Sequence, residues 1–176
     1  MNGIEVFEKV LFSELMYDIA SDFFGKNKFI LNNVVRFTHL LPSPKPILPW
    51  HFDRSQTLKL WIYVKDANIN DGALEYCPGS HWEGKYRAGY HTLSGTRLLD
   101  IPNDIPEYRI QNPVTLEGNA GDLFIFDPDG FHRGGIIQPG HERCVIRADS
   151  QPIPDWNKKS SILNLRRFLA TPFNIA

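Results

Sequence analysis

Apolar residues at the start of the chain recur every three or four positions. Ile4, Phe7, Leu11, Leu15 and Ile19 fall on one stripe, with Glu5, Lys9, Glu14 and Asp18 off it. That period marks a helix with one buried face, so one N-terminal helix is expected over about 4–22, packed on a sheet. Gly25 is placed to end it. From Lys28 the period changes to two. Val35, Phe37, His39 and Leu41 alternate with Val34, Arg36, Thr38 and Leu40, a strand pattern. Pro42, Pro44, Pro46 and Pro49 then impose an irregular, extended connection. A second strand is expected from Thr57 to Lys65. It puts Leu58, Leu60, Ile62 and Val64 on one face, and Thr57, Lys59, Trp61 and Tyr63 on the other. The run 68–72 reads as a turn, 73–77 as a strand, and 78–82 as a turn followed by a long loop. Short strands are expected near 113–117, 122–127, 131–137 and 142–149. The tail from Trp156 to Leu169 has Ile162, Leu165 and Leu169 at the spacing of a short helix.

One helix on about eight short strands joined by turns implies a mainly β sandwich or barrel. An antiparallel double-sheet jelly roll of the cupin type has this strand count. No repeat, linker or low-complexity tract divides the 176 residues. A single domain is therefore expected over 1–176: helix about 4–22, barrel about 28–150, tail 151–176.

Composition supports the turn-rich picture. The chain holds 13 glycines, 13 prolines, 12 phenylalanines, 6 tyrosines and 4 tryptophans, which suits short strands and tight turns. Apolar residues at 42% and charged residues at 22% exclude disorder for most of the chain. The 19 basic and 20 acidic residues leave a net charge of −1, which argues against a nucleic-acid partner bound through phosphates. No apolar run is long enough to span a membrane. The first residues lack a basic stretch followed by a long apolar one, so no secretory signal is expected. Cys77 and Cys144 lie far apart and form no metal-type pair, which suits a reducing cytosol. A cytoplasmic protein with a small-molecule partner is the expectation, and self-association stays open.

The candidate chemistry starts at Trp50-His51-Phe52-Asp53. In an extended chain residues two apart share a face, so His51 and Asp53 bring a nitrogen and a carboxylate oxygen together. That is two thirds of the facial triad that holds non-haem iron(II) with open positions. A surface turn with a hydrogen-bonded His–Asp pair would carry the same residues, so the triplet alone is weak. The second half of the chain adds weight. A strand over 121–126 leads into Asp127-Pro128-Asp129-Gly130, a strong turn signal, and then into Phe131-His132-Arg133-Gly134-Gly135. A barrel can set His132 opposite the His51–Asp53 pair. Arg143 follows, and its guanidinium fork matches a carboxylate. Arg143, Val145 and Arg147 share one parity. An inward Arg143 would stand at the barrel base, where it could anchor a dicarboxylate.

In this order the segments resemble the phytanoyl-CoA dioxygenase family. They are His51-x-Asp53, then 70–74 leading to Pro78-Gly79-Ser80-His81, then Gly121-Asp122, His132 and Arg143. The resemblance covers roughly residues 34–149. It implies a double-stranded β-helix and an iron(II)- and 2-oxoglutarate-dependent dioxygenase with oxygen as co-substrate. It implies His51, Asp53 and His132 as iron ligands and Arg143 as partner of the distal carboxylate of 2-oxoglutarate. Oxidative decarboxylation to succinate and carbon dioxide would be coupled to hydroxylation of an unactivated C–H. Some relatives that halogenate carry a small residue where Asp53 stands, so hydroxylation or a related oxidation is the implied outcome. Family members usually have serine or threonine two residues after the distal histidine. Gly134 stands there in this chain, and Thr57 or Thr38 would have to supply that hydroxyl.

Other residues have plainer readings. His39 is expected to be structural, His81 to shape its loop, and His91 and His141 to face solvent. Trp61 and Tyr63 are candidates for the substrate pocket, although aromatics on strands more often pack in a core. Arg147 is a further pocket candidate and the rival carboxylate anchor. Two other functions compete: a cupin-type metalloenzyme that does not use 2-oxoglutarate, and a non-enzymatic jelly-roll binding protein with a relict site. The first leaves Arg143 without work, and the intact set of four residues argues against the second.

Overall fold

The computed structural model describes residues 3–25 and 28–153. The N-terminal stripe forms two helices instead of one, α1 (Gly3–Leu11) and α2 (Glu14–Phe24). Ser13 makes the break. Its hydroxyl accepts the Met16 amide at 3.3 Å, satisfying a donor that a helix start leaves free. The break also resets the buried stripe. Leu11, Met16, Ala20 and Phe24 are buried, whereas Leu15, expected on the buried side, is 63% exposed. Gly25 ends α2 with φ at 65°, as expected.

Seven strands follow among the described residues, against about eight expected. They are β1 (Phe29–Leu40), β2 (Leu58–Tyr63), β3 (Leu74–Tyr76), β4 (Val114–Leu116), β5 (Leu123–Phe126), β6 (His132–Gly134) and β7 (Arg143–Pro152). They form two antiparallel sheets, ordered β1-β7-β2-β5 and β4-β3-β6. The chain is thus mainly sheet with helices at its start. The register of β1 on β7 shifts between Ile30 and Val34. Asn32, buried at the shift, has φ at 45°, a conformation asparagine tolerates better than most residues. Its amide N–H donates to the Ser150 hydroxyl, and its side chain donates to the Leu11 carbonyl. One polar residue therefore ties the end of α1 to the β1–β7 pair.

The parity expected for β2 and β7 separates two cores. Leu60 and Ile62 of β2 and Ala148 of β7 pack under Leu11 and Met16, so α1 and α2 cover the outer face of the larger sheet. Trp61 and Tyr63 of β2 and Val145 of β7 point the other way, against Leu74 of β3 and Phe126 of β5. That second core joins the two sheets, and at one end it opens into a cavity.

One expectation fails outright. Residues 81–93, expected as the end of a turn and the long loop after it, form helix α3 (His81–Leu93). Two glycines in its first nine residues lower its intrinsic helix propensity, which hides it. Gly84 is there for space, because a Cβ would collide with the Asp129 carbonyl and lie 3.2 Å from Phe52 Cβ. The helix can then lie directly on the 127–131 turn that precedes His132. Single turns of 3-10 helix follow at Leu98–Asp100 and Glu107–Arg109. Trp50, Phe52, Phe131, Ala88, Ile101 and Ile105 make a third core beneath them. The helix expected in the tail lies outside the described residues. Among those residues, no helix is long and apolar enough to cross a membrane.

Candidate metal centre

His51 and His132 face each other through a one-residue antiparallel bridge. The His51 amide donates to the His132 carbonyl at 3.1 Å, and the His132 amide donates back at 2.8 Å. This exchange fixes both Cα positions, and the ring centroids lie 4.3 Å apart. The 103–105 segment backs the pair from the other side. Ile105 N–H donates to the Trp50 carbonyl, and Asn103 exchanges bonds with the Phe52 backbone.

The ring orientations follow from carbonyls. His51 Nδ1 lies 2.9 Å from the Pro49 carbonyl, and His132 Nδ1 lies 2.8 Å from that of Gly130. A carbonyl only accepts, so each neutral ring must carry its proton on Nδ1. Each Nε2 is then a bare lone pair. His132 Nε2 is buried and has no hydrogen-bond partner. Both Nε2 atoms point at Asp53 Oδ1, from 3.9 Å for His51 and 3.7 Å for His132. One ligand atom from each of the three residues lies within 4.8 Å of the others. Fixing a ligand imidazole through its second nitrogen is how metal sites set tautomer and direction. Two neutral nitrogens and one carboxylate oxygen suit a divalent first-row metal.

Electrostatics holds the donors in binding form. Burial is the largest influence on Asp53 and would raise its carboxyl. Lys59, His132 and His51 outweigh it and hold the group below the ordinary carboxylate value. Lys59 Nζ sits 2.7 Å from Asp53 Oδ2, on the oxygen turned away from the histidines. Burial lowers both imidazoles, and Lys59 and His51 help push His132 down to about 3.

The histidine shifts set a pH dependence. His132 in the unfolded chain should titrate near 6.5, well above its folded value. Below that pH the unfolded chain binds more protons, so stability falls as pH drops from about 6.5 towards 3. The metal-free protein should lose on the order of 2 kcal/mol between pH 7 and pH 5. Denaturant midpoints across that range check this, and a flat profile would contradict the buried, neutral His132.

Beyond the three donors lies a cavity of about 470 Å³. Arg143, Arg147, Trp61 and Thr38 all line it, together with Gly134. Arg143 is buried, and its Nη1 donates to the Gly72 carbonyl. A Cβ on Gly134 would collide with Arg143 Nη2 and lie 2.9 Å from Cζ. The glycine that stands where serine or threonine was expected is therefore the floor on which the guanidinium rests.

Tyr63 and Thr57 do not line the cavity. The Tyr63 hydroxyl is consumed by the Leu116 carbonyl and the Leu74 amide, and Thr57 is buried outside the lining. Lys59, Arg54, Asn103 and Asp104 line the cavity without having been singled out from sequence. Lys59 shares the parity of Trp61, which is the one signal that could have found it. His39 lies on the outer face and bonds Glu142 at 2.7 Å. His39, Glu142 and Cys144 form a second donor group, but the Lys65 ammonium already occupies Glu142. His81 opens α3, and His91 lies in its last turn. His141, expected to be a solvent-facing turn residue, is half-buried and pairs with Asp71 at 2.8 Å.

A family model for phytanoyl-CoA dioxygenase matches residues 7–143. A phytanoyl-CoA dioxygenase domain-containing protein 1 homolog from Dictyostelium discoideum is 29% identical over 79 residues, covering 43% of this chain and 28% of that protein. Among solved structures, EvdMO1 is 22% identical with a TM-score of 0.57, over 84% of this chain and 32% of its own. AviO1 from Streptomyces viridochromogenes Tue57 is 21% identical with a TM-score of 0.54, over 81% of this chain and 59% of its own. SnoN, a non-heme alpha-ketoglutarate-dependent epimerase from nogalamycin biosynthesis, is 14% identical with a TM-score of 0.57, over 84% and 56%. This chain spans less than two thirds of the length of each of these proteins. The likeness to the solved structures is one of fold.

Proposed function

The chain belongs to the phytanoyl-CoA dioxygenase family, and from that premise we propose that it is a cytoplasmic hydroxylase acting on an unactivated C–H of a small molecule. The family's enzymes are dioxygenases that use iron(II), 2-oxoglutarate and oxygen. The two antiparallel sheets are read as the halves of a double-stranded β-helix carrying one oxygenase domain.

The observation that carries the proposal is the convergence of three donors on one point, with both imidazole Nε2 atoms freed by carbonyl-bound Nδ1 atoms. His51, Asp53 and His132 would hold the iron. Iron held there would supply the oxidation of 2-oxoglutarate to succinate and carbon dioxide and the transfer of oxygen to substrate. The chain's own residues do the rest. Pro49 and Gly130 carbonyls hold the rings, and Lys59 holds the outer Asp53 oxygen so that the inner one faces the histidines. Arg143 would take the distal carboxylate of 2-oxoglutarate at the cavity floor, with Thr38 beside it on the neighbouring strand β1. Tyr63 and Thr57, which lie outside the cavity lining, are not included in this set. A cupin-type enzyme without 2-oxoglutarate would leave the desolvated Arg143 guanidinium with no anion to meet.

Purified protein given iron(II), 2-oxoglutarate and oxygen should release succinate slowly without substrate, and faster when a screened compound is accepted. Oxygen uptake above the uncoupled rate identifies that compound. If 2-oxoglutarate fails to bind in a metal-dependent way at full metal occupancy, the proposal is wrong.

A further inference from the structure

Arg147 is not needed by the reading above, yet it is placed as carefully as Arg143. It lies four residues further along β7, on the same inward face, and lines the same cavity. Its Nε is buried with no hydrogen-bond partner. Among the described residues its guanidinium makes no ion pair. Asp149 is next on that face, but its buried Oδ1 is also without a hydrogen-bond partner. Two side chains stand in register beside Arg147, the exposed Arg36 on β1 and Trp61, its partner on β2. The indole centroid lies 5.8 Å from Arg147 Cζ and 5.5 Å from Arg143 Cζ. Two guanidinium groups thus stand against the same indole.

Holding the buried Arg143 charge beside the half-buried Arg147 charge is costly unless anions meet them. Cation–π contact with the indole offsets only part of that cost. The cavity lining carries Arg54, Lys59, Arg143 and Arg147 against the carboxylates of Asp53 and Asp104. Iron(II) would add two positive charges, and dianionic 2-oxoglutarate would remove two. Two positive charges remain on the lining, and Asp149, which feels both Lys59 and Arg147, offsets part of that excess. 2-Oxoglutarate has one distal carboxylate to offer, and Arg143 lies deeper, against Gly134.

We propose that Arg147 and the Trp61 indole form a second anion subsite, which holds a carboxylate or phosphate group of the primary substrate. The proposal rests on the oxygenase reading and narrows its substrate to small molecules bearing such a group. The guanidinium fork reads two oxygens of the anion at once. The indole offers a flat wall to the carbon skeleton behind it. The group to be oxidised would then be the part of the substrate lying between this anchor and the metal.

The test uses the iron(II)-loaded protein without oxygen, saturated with 2-oxoglutarate. Calorimetric titrations with benzoate, phenyl phosphate and neutral benzyl alcohol are compared. At least one anion should bind tenfold or more tighter than the alcohol. Arg147→Gln should weaken that anion at least tenfold while changing 2-oxoglutarate affinity less than threefold. Arg147→Lys keeps the charge and should retain part of the anion binding, which also covers the case of a poorly folded glutamine variant. An anion that binds wild type and Arg147→Gln equally sits on the metal or elsewhere and overturns the subsite. A collapse of 2-oxoglutarate binding in Arg147→Gln also overturns it, because Arg147 would then be the co-substrate anchor. If wild type binds no 2-oxoglutarate, the oxygenase reading fails. The same anion titrations without 2-oxoglutarate then decide the subsite alone.

Discussion

His132→Ala is expected to abolish iron(II) binding, with at least a hundredfold loss of affinity. His132 contributes the most buried donor of the three, and its Nε2 has no hydrogen-bond partner in the protein. Its removal leaves His51 and Asp53, two donors on one extended segment and short of a face. Loss of a group that merely orients a ligand already costs about 10–100-fold in metal affinity, so loss of the ligand itself must cost more. Asp53→Ala should do the same, and it also strands the Lys59 ammonium that now rests on Asp53 Oδ2. The readout is iron(II) titration of the anaerobic protein, with thermal melting to show that each variant is folded. His132→Asn fills more of the vacated space than alanine and guards against a collapsed site. His39→Ala is the internal control. It belongs to the other donor group, on the outer face, and should leave iron binding unchanged. Full-occupancy iron binding by His132→Ala, or its loss in His39→Ala, would place the metal elsewhere.

What the sequence made legible was local. Period-two alternation put Trp61 with Lys59, and Arg143 with Arg147, and those pairs do share the cavity wall. A strand's side-chain parity needs nothing beyond the strand itself, so this reading survives whatever the sheets do. Depth along the strand was not legible. Tyr63 shares Trp61's face but lies one step further in, where Leu116 and Leu74 take up its hydroxyl. Nor could parity show which carboxylate Lys59 meets, because Asp53 reaches it from an irregular segment.

The larger misses have the same origin. Helix α3 carries Gly84 where a helix would prefer alanine, because the helix must touch Asp129 and Phe52. Tertiary packing there overrides local propensity, as it routinely does. Segment 103–105 has no strand signature, yet it lines the bridge that holds Trp50, His51 and Phe52. Long-range pairing of that kind is a property of register, and single-residue bridges leave no periodic trace. Gly134 is the instructive case. As a sequence feature it was only a missing hydroxyl. In three dimensions it is the absence of a Cβ beneath a guanidinium.

That contact carries the second large effect. Arg143→Ala should leave iron(II) binding intact and weaken 2-oxoglutarate by about 2–5 kcal/mol, roughly thirtyfold or more. The cost is high because the co-substrate carboxylate would enter a desolvated floor with its partner gone. Gly134→Ser tests the seat of the guanidinium separately. Its Cβ would displace Nη2 and press on Cζ. Arg143 could answer only by giving up its bond to the Gly72 carbonyl. Gly72 itself has little room to yield. It has φ at 69°, and a Cβ there would lie 2.6 Å from the Gly135 carbonyl oxygen. The serine variant should therefore bind 2-oxoglutarate more weakly than wild type, despite gaining a hydroxyl of the kind its relatives carry. In Arg143→Ala the serine has nothing to displace, so adding Gly134→Ser to that background should cost little. Such non-additivity is what two residues acting through one contact produce. A double mutant whose losses simply add would show that Gly134 and Arg143 act on the co-substrate independently. A Gly134→Ser variant that binds 2-oxoglutarate more tightly would mean that the guanidinium leaves this seat when the anion arrives.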